Sequence, residues 1–216
     1  MKLTKSAGII AALLAASTTA AAESQWSANI GWMSDYYYRG IHQKQSSANG
    51  GVDFANRGFY AGVWAADVGE LTGDGLEVDG YFGYGGDIGD FSYGLGFTGY
   101  YYTGDFDDTY QEINLSAAYG FVTLDVALGE YLNFAGPTQE YQFYSLTAEH
   151  KGFYGKYGTF DDEFDGDYFE VGYSTTVAEF DVSFYGLYAD ENLIGEEEHA
   201  LVFAIGKSFG FGSAAQ

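Results

Sequence analysis

The sequence has no cysteine and a single proline, and its basic residues are few. Without cysteine there is no disulfide scaffold, no thiolate zinc site and no catalytic thiol. Lysine and arginine together number 8 against 31 aspartates and glutamates, which gives a formal charge of −23. Because binding to phosphates requires a basic face, this balance argues against a nucleic-acid partner.

Long hydrophobic runs are also missing, apart from a short one at the start of the chain. Lys2 and Lys5 precede the apolar segment 7–16, and the small residues Ala20–Ala22 follow it. A basic segment, an apolar segment and small residues in this order are typical of a signal peptide. We therefore predict a signal peptide over residues 1–22, export by the general secretory route, and one domain over residues 23–216. No later segment reaches the ~18 consecutive apolar residues of a transmembrane helix.

Glycine and aromatic residues are abundant, with 32 glycines, 21 tyrosines and 18 phenylalanines. A hydrophobic fraction of 47% excludes intrinsic disorder despite the high charge. Apolar residues alternate with small or polar ones, as in the segments 26–32, 91–98 and 122–129. A period of two is typical of β-strands, and no segment after residue 22 has a convincing helical period.

Twelve such runs follow one another, and the connections between them alternate in length. Tight connections, as at residues 56–58 and 150–152, are each followed by a longer and more polar one, as at Arg39–Gly50 and Asp161–Gly166. Short turns at one end, longer loops at the other and an even strand count are typical of bacterial outer-membrane barrels. The sequence thus predicts an all-β fold: a membrane-spanning, antiparallel, up-and-down β-barrel of twelve strands with short periplasmic turns and longer extracellular loops.

A soluble β-sandwich or β-barrel is the alternative to this fold. A solvated sheet face carries Lys, Glu and Thr, whereas the less apolar face here is mostly Gly, Ser, Ala and Tyr with isolated acids. Small residues that face a narrow lumen explain this composition better. Aromatic residues near the predicted strand ends indicate interfacial girdles. These residues are Tyr36, Tyr38, Tyr100, Tyr101, Tyr102, Tyr173 and Tyr188.

The segments Ser34–Gln43, Gly50–Phe54 and Gly58–Val68 together resemble the start of the TorF family of porin-like proteins. That family is proteobacterial and exported, and its function is poorly defined. The chain departs from the family pattern at Ser46–Asn49, where a proline is usual, and after Phe211, where an aromatic residue usually ends an outer-membrane barrel. The resemblance implies an outer-membrane channel with no known solute. Its partners would be outer-membrane lipid, lipopolysaccharide and the barrel assembly machinery.

The charged residues on the less apolar face are the candidate functional residues, because a carboxylate facing lipid would cost a few kcal/mol. The predicted pore-lining residues are Asp35, Arg39, Asp53, Glu77, Asp79, Glu112, Asp125, Lys156, Glu170 and Asp181. Since acids outnumber bases, we expect a channel for small hydrophilic solutes that favours cations. The alternative is a filled barrel in which these acids pair with bases and tyrosine hydroxyls. Asp35 and Arg39 form either a charged constriction near the mouth or an ion pair that orients the first loop.

Other functions remain open. The first alternative is a non-conducting structural or adhesin barrel. The second is a barrel enzyme with His42, His199 and Ser46 at the rim, and it is the weaker hypothesis because no nucleophile elbow is present. The acidic segment Asp161–Asp167 resembles half of a calcium loop, but Gly172 occupies the position of the last ligand. We therefore expect no enzyme activity, no metal centre and no cofactor.

Overall fold

The computed structural model describes residues 24–69 and 74–211, which form twelve β-strands and one short helix. The predicted signal peptide lies outside these residues. The strands are β1 (Gln25–Tyr38), β2 (Ile41–Asn56), β3 (Phe59–Val68), β4 (Gly75–Ile88), β5 (Phe91–Tyr102), β6 (Tyr110–Tyr119), β7 (Val122–Tyr131), β8 (Gln139–His150), β9 (Phe153–Asp162), β10 (Asp167–Val177), β11 (Phe180–Ala189) and β12 (Glu198–Gly210). The helix, α1 (Glu191–Ile194), lies between β11 and β12.

Each strand pairs antiparallel with the strand that follows it, and β12 pairs with β1, so the sheet closes into a barrel. Closure gives every strand a partner on each side. The predicted all-β fold, an antiparallel up-and-down barrel of twelve strands, is confirmed. Among the described residues no helix is long and apolar enough to cross a membrane.

The connections differ between the two ends of the barrel. At one end, here named the turn end, every connection has two residues: 57–58, 89–90, 120–121, 151–152 and 178–179. The opposite end, here named the loop end, carries the connections 69–74, 103–109, 132–138, 163–166 and 190–197. The prediction of a long loop over Arg39–Gly50 is wrong. Residues 39 and 40 form a two-residue turn, and the polar segment after them continues as strand β2.

The alternation along each strand separates an apolar outer face from an inner face. Large apolar side chains are exposed on the outside, among them Ile30, Val171 and Leu201. The exposed fraction of Leu201 is 86%. The next residues along the same strands, such as Glu170 and Val202, are buried inside the barrel. Because an exposed band of this kind is costly in water, the distribution is typical of a barrel surrounded by lipid.

The hydrophobic core lies within the barrel, towards the loop end. One cluster joins Tyr37 to side chains of β7–β12, including Phe143, Tyr168 and Val202. A second cluster joins Met33 and Tyr36 to Ala66 and Val68 of β3. The part of the lumen at the loop end is therefore packed with side chains, which sets the geometry of the candidate site.

Candidate functional site

The first hairpin leaves the barrel wall and enters the lumen. The pairing of β1 with β12 ends at Met33 and Ala204, and the pairing of β2 with β3 begins at Asn49 and Ala66. Between these points, residues 34–48 form ladder pairs only with one another and are named here the inward hairpin. One backbone hydrogen bond, from the N–H of Gly69 to the carbonyl of Gln43 (3.0 Å), also ties the hairpin to the end of β3. The hydroxyl of Ser34 accepts a hydrogen bond from the backbone N–H of Phe203 (3.0 Å), which replaces the lost ladder contact.

Two irregularities bend the inward hairpin away from the wall. A register shift lies between Tyr36 and Tyr37 on β1, and Ser46 on β2 has a φ of 60°. Bulges increase the local twist of a strand and redirect its side chains. The hairpin therefore turns inwards rather than extending the wall.

The tip of the inward hairpin reaches the opposite side of the barrel. Arg39 (φ 50°) and Gly40 (φ 86°) form its two-residue turn, in the left-handed region that such hairpins require. A Cβ on Gly40 would lie 2.8 Å from Tyr168 of β10 and 2.7 Å from Leu193 of α1. The guanidinium of Arg39 stacks on the ring of Phe143 of β8, 4.2 Å from its centroid. The tip thus occupies the lumen at the loop end.

A buried ion pair holds this tip. Arg39 donates two hydrogen bonds to the carboxylate of Glu112 on β6, from Nη1 (2.5 Å) and Nη2 (2.9 Å). The same carboxylate accepts hydrogen bonds from the hydroxyls of Tyr100 (3.0 Å) and Tyr141 (2.7 Å) and from the amide of Asn114 (2.8 Å). Such multiple donors offset the cost of burying a carboxylate. Glu112 is therefore a fully satisfied anchor on the far wall.

Two further acids lie on the lumen face of β4, which is separated from β6 by β5. Glu77 is 1% exposed and Asp79 is 5% exposed. Tyr36 of the inward hairpin donates a hydrogen bond to Oε1 of Glu77 (2.6 Å). Among the described residues, Oε2 of Glu77 and Oδ1 of Asp79 have no hydrogen-bond partner.

The remaining predicted pore-lining residues lie in two other places. Lys156 and Glu170 are direct partners on β9 and β10, and the ammonium of Lys156 lies 5.5 Å from the ring centroid of Tyr168. Three acids lie nearer the turn end: Asp53, which accepts a hydrogen bond from Tyr81, Asp125, which is half-buried, and Asp181, which accepts one from Thr176. The structure thus brings Arg39, Glu77, Asp79 and Glu112 to the region around the hairpin, which itself contains Asp35, and it keeps the other five apart.

Asp35 and Arg39 do not form the expected ion pair with each other. Oδ1 of Asp35 lies 3.8 Å from Nε2 of His42, while Arg39 contacts Glu112. Same-face spacing on a straight strand does not apply to Arg39, because β1 ends at Tyr38 and Arg39 occupies the turn with a left-handed φ of 50°. Arg39 therefore anchors the hairpin to the far wall instead of orienting it locally.

The histidines and serine of the weaker enzyme hypothesis have other neighbours. The ring of His42 packs on Tyr37 (4.9 Å between centroids), and that of His199 packs on Tyr188 (5.0 Å). The hydroxyl of Ser46 accepts a hydrogen bond from Nε1 of Trp32 (3.1 Å). Within the described residues no three His, Cys, Asp or Glu side chains form a group suited to a metal ion.

Tyrosines of the predicted girdles belong to the site instead. Tyr36 and Tyr100 are buried in the lumen, and Tyr38 donates a hydrogen bond to the hydroxyl of Tyr100 (2.7 Å). Their assignment to the outer face is wrong, whereas Tyr101 and Tyr173 are exposed outside. The alternation along β5 predicts that Tyr100 points inwards, because the odd-numbered residues Phe91, Tyr93 and Leu95 point outwards.

The architecture that these observations define is a closed twelve-stranded barrel with a polar hairpin folded into an acidic lumen. Residues 17–186 match a family described as a bacterial protein of unknown function (Gcw_chp). Because this match spans most of the sequence, the chain belongs to that family. No curated protein matches the chain.

Solved structures show similarity in fold. A structure from work on the in-meso crystallization of membrane proteins has a TM-score of 0.54 at 9% identity, covering 87% of this chain and 84% of that one. Pseudomonas aeruginosa OccK1 (OpdK) has a TM-score of 0.42 at 11% identity over 78% of this chain and 57% of its own. A BenF-like porin from Pseudomonas fluorescens Pf-5 has a TM-score of 0.40 at 12% identity, and the match covers 83% of this chain and 59% of the porin. The chain thus spans less than two thirds of either Pseudomonas protein.

Proposed function

We propose that the chain is an outer-membrane, porin-like channel for small hydrophilic solutes, that it favours cations, and that it has no enzyme activity. The apolar outer face supports a location in lipid. Outer-membrane lipid, lipopolysaccharide and the barrel assembly machinery are then its partners. The resemblance of residues 34–68 to the TorF family supports the same proposal.

The observation that carries the cation preference is the charge of the inner face. Arg39 is committed to Glu112, and Lys156 lies opposite Glu170. The acids Asp53, Glu77, Asp79, Asp125 and Asp181 are left without a basic partner among the ion pairs of the described residues. Carboxylates along a narrow lumen with low-dielectric walls concentrate cations and exclude anions.

The inward hairpin makes the passage at the loop end narrow. Its tip contacts β6, β8 and β10 at once, through Glu112, Phe143 and Tyr168. The hairpin also contacts β4, because Tyr36 donates a hydrogen bond to Glu77. The path that we propose passes the hairpin at the buried acids Glu77 and Asp79. A constriction lined by acids selects by charge more strongly than a wide pore does, because the ion approaches the carboxylates closely.

Reversal potentials in planar bilayers test the proposal. Purified, refolded protein under a KCl gradient should give a reversal potential that favours K⁺, and the preference should be stronger in dilute than in concentrated salt because salt screens the carboxylates. Anion preference would contradict the assignment of the acids to the conducting path.

A non-conducting structural barrel is the second candidate, and one observation favours it. The aromatic cluster around Phe143, Phe160 and Tyr168 fills the lumen at the loop end together with the hairpin tip. Barrels of eight strands are filled by side chains and those of sixteen contain water, and twelve strands lie between these cases. Absence of any conductance in the bilayer experiment would favour this candidate.

A further inference from the structure

We propose that Glu77 and Asp79 form a binding site for one small inorganic cation in the lumen. This proposal rests on the proposed channel function and identifies the place where a passing cation contacts the barrel most closely. The two carboxylates are two positions apart on β4, so both lie on its lumen face. When both are ionised, the two carboxylates carry a combined charge of −2, which matches a divalent ion.

The first argument is the state of the carboxylate oxygens. Both side chains are at least nine-tenths buried, and Oε2 of Glu77 and Oδ1 of Asp79 lack a hydrogen-bond donor among the described residues. An uncompensated carboxylate inside a protein is costly, and the cost is removed by a partner of opposite charge. These oxygens are therefore available as ligands.

The second argument is the lack of a basic side chain to supply that charge. The guanidinium of Arg39 contacts both oxygens of Glu112. Neither Glu77 nor Asp79 takes part in an ion pair among the described residues. Arg39 therefore serves Glu112, and the pair of carboxylates on β4 is left without a basic partner.

The third argument is the kind of donor that surrounds the pair. Tyr100 and Tyr102 of β5 are the direct partners of Asp79 and Glu77, and Tyr36 donates to Glu77 from the inward hairpin. Hydroxyl and carboxylate oxygens suit hard cations, and Ca²⁺ tolerates an irregular set of oxygen ligands better than Mg²⁺ does. The predicted preference is therefore Ca²⁺ over Mg²⁺, with both above K⁺.

Terbium luminescence provides the test, because Trp64 on β3 is the direct partner of Asp79 and would sensitise an ion bound there. Refolded barrel in detergent should show Tb³⁺ emission on tryptophan excitation, and Ca²⁺ should displace the ion. Asp79→Asn and Glu77→Gln should each weaken this binding by about tenfold or more. Asp125→Asn, which changes a lumen-facing acid between Ser116 and Ser145, should bind as the parent does.

The outcomes separate the site from the channel. Equal Tb³⁺ affinity in the parent, Asp79→Asn and Glu77→Gln would overturn the site, as would emission that Ca²⁺ does not reduce. Heat-dependent migration in SDS gels checks that each variant is folded. Calcium-sensitive binding in a barrel that does not conduct would leave the site standing and the channel refuted, and conductance without binding would do the reverse.

Discussion

Arg39 and Glu112 form a bidentate ion pair across the lumen, although the first hairpin, which carries Arg39, and the strand β6, which carries Glu112, are not neighbours in the sheet. Arg39 is in the turn between β1 and β2, and Glu112 is on β6. Breaking a buried pair by removing one partner costs about 3–5 kcal/mol, because the other charge stays buried without compensation. The pair is therefore the main attachment of the hairpin tip.

Arg39→Gln should release the tip and raise the single-channel conductance, because Glu112 then lacks its counter-charge and the hairpin loses its anchor. Arg57→Gln is a matched control: Arg57 has the same φ of 50° and also precedes a glycine in a two-residue turn, but at the turn end. Conductance that is identical in Arg39→Gln and the parent would show that the hairpin does not limit the passage.

Replacing Asp79, Asp125 and Asp181 together by Asn should reduce the preference for K⁺, since the change removes charge while almost preserving volume. The reversal potential in a KCl gradient measures the effect. Asp105→Asn is the control, because Asp105 is exposed in the loop between β5 and β6. A reduction of the same size in both proteins would place the selectivity at the mouth instead of in the lumen.

Unheated and boiled samples should migrate differently in mild SDS gels. A closed barrel satisfies all its strand hydrogen bonds internally and resists the detergent until it is heated. The matching measurement in cells is fractionation after export. Recovery of the protein in the soluble fraction, without membrane, would contradict insertion in the outer membrane.

Single cysteines should report the orientation, because the native chain contains none. Ala135→Cys and Asp165→Cys lie in exposed loops at the loop end, whereas Arg57→Cys and Lys151→Cys lie at the turn end. We expect a membrane-impermeant maleimide to label the first two on intact cells, since longer loops face outwards in such barrels. Labelling of Arg57→Cys or Lys151→Cys instead would reverse the topology.

The fold could be predicted from the sequence because the period of two and the alternating connections are local signals. The runs of β5 and β7, for example, have the same parity in the sequence as in the structure. Parity also separates Tyr100 from Tyr101, so the placement of Tyr100 inside the barrel was available from the pattern of Phe91, Tyr93 and Leu95.

The inward hairpin could not be predicted in the same way. Its polar segment His42–Asn49 has the composition of a loop, and the left-handed φ of Ser46 leaves no mark in a residue type. The register shift between Tyr36 and Tyr37 leaves Gln43 of β2 as an extra residue in the ladder, and no pattern in the sequence indicates it. The partner of Arg39 was also beyond reach, because Glu112 is brought near only by the closure of the whole barrel.

The seam between β1 and β12 has a consequence for the order of assembly. It runs from the pair Ser27–Gly210 to the pair Met33–Ala204, and so joins the two ends of the chain. The entropic cost of closing a loop grows with its length, whereas the other pairs of strands close over short connections. We expect the seam to form last, after the hairpins have associated. Until that moment β1 and β12 are open edges, and the newly made protein is most vulnerable to aggregation there.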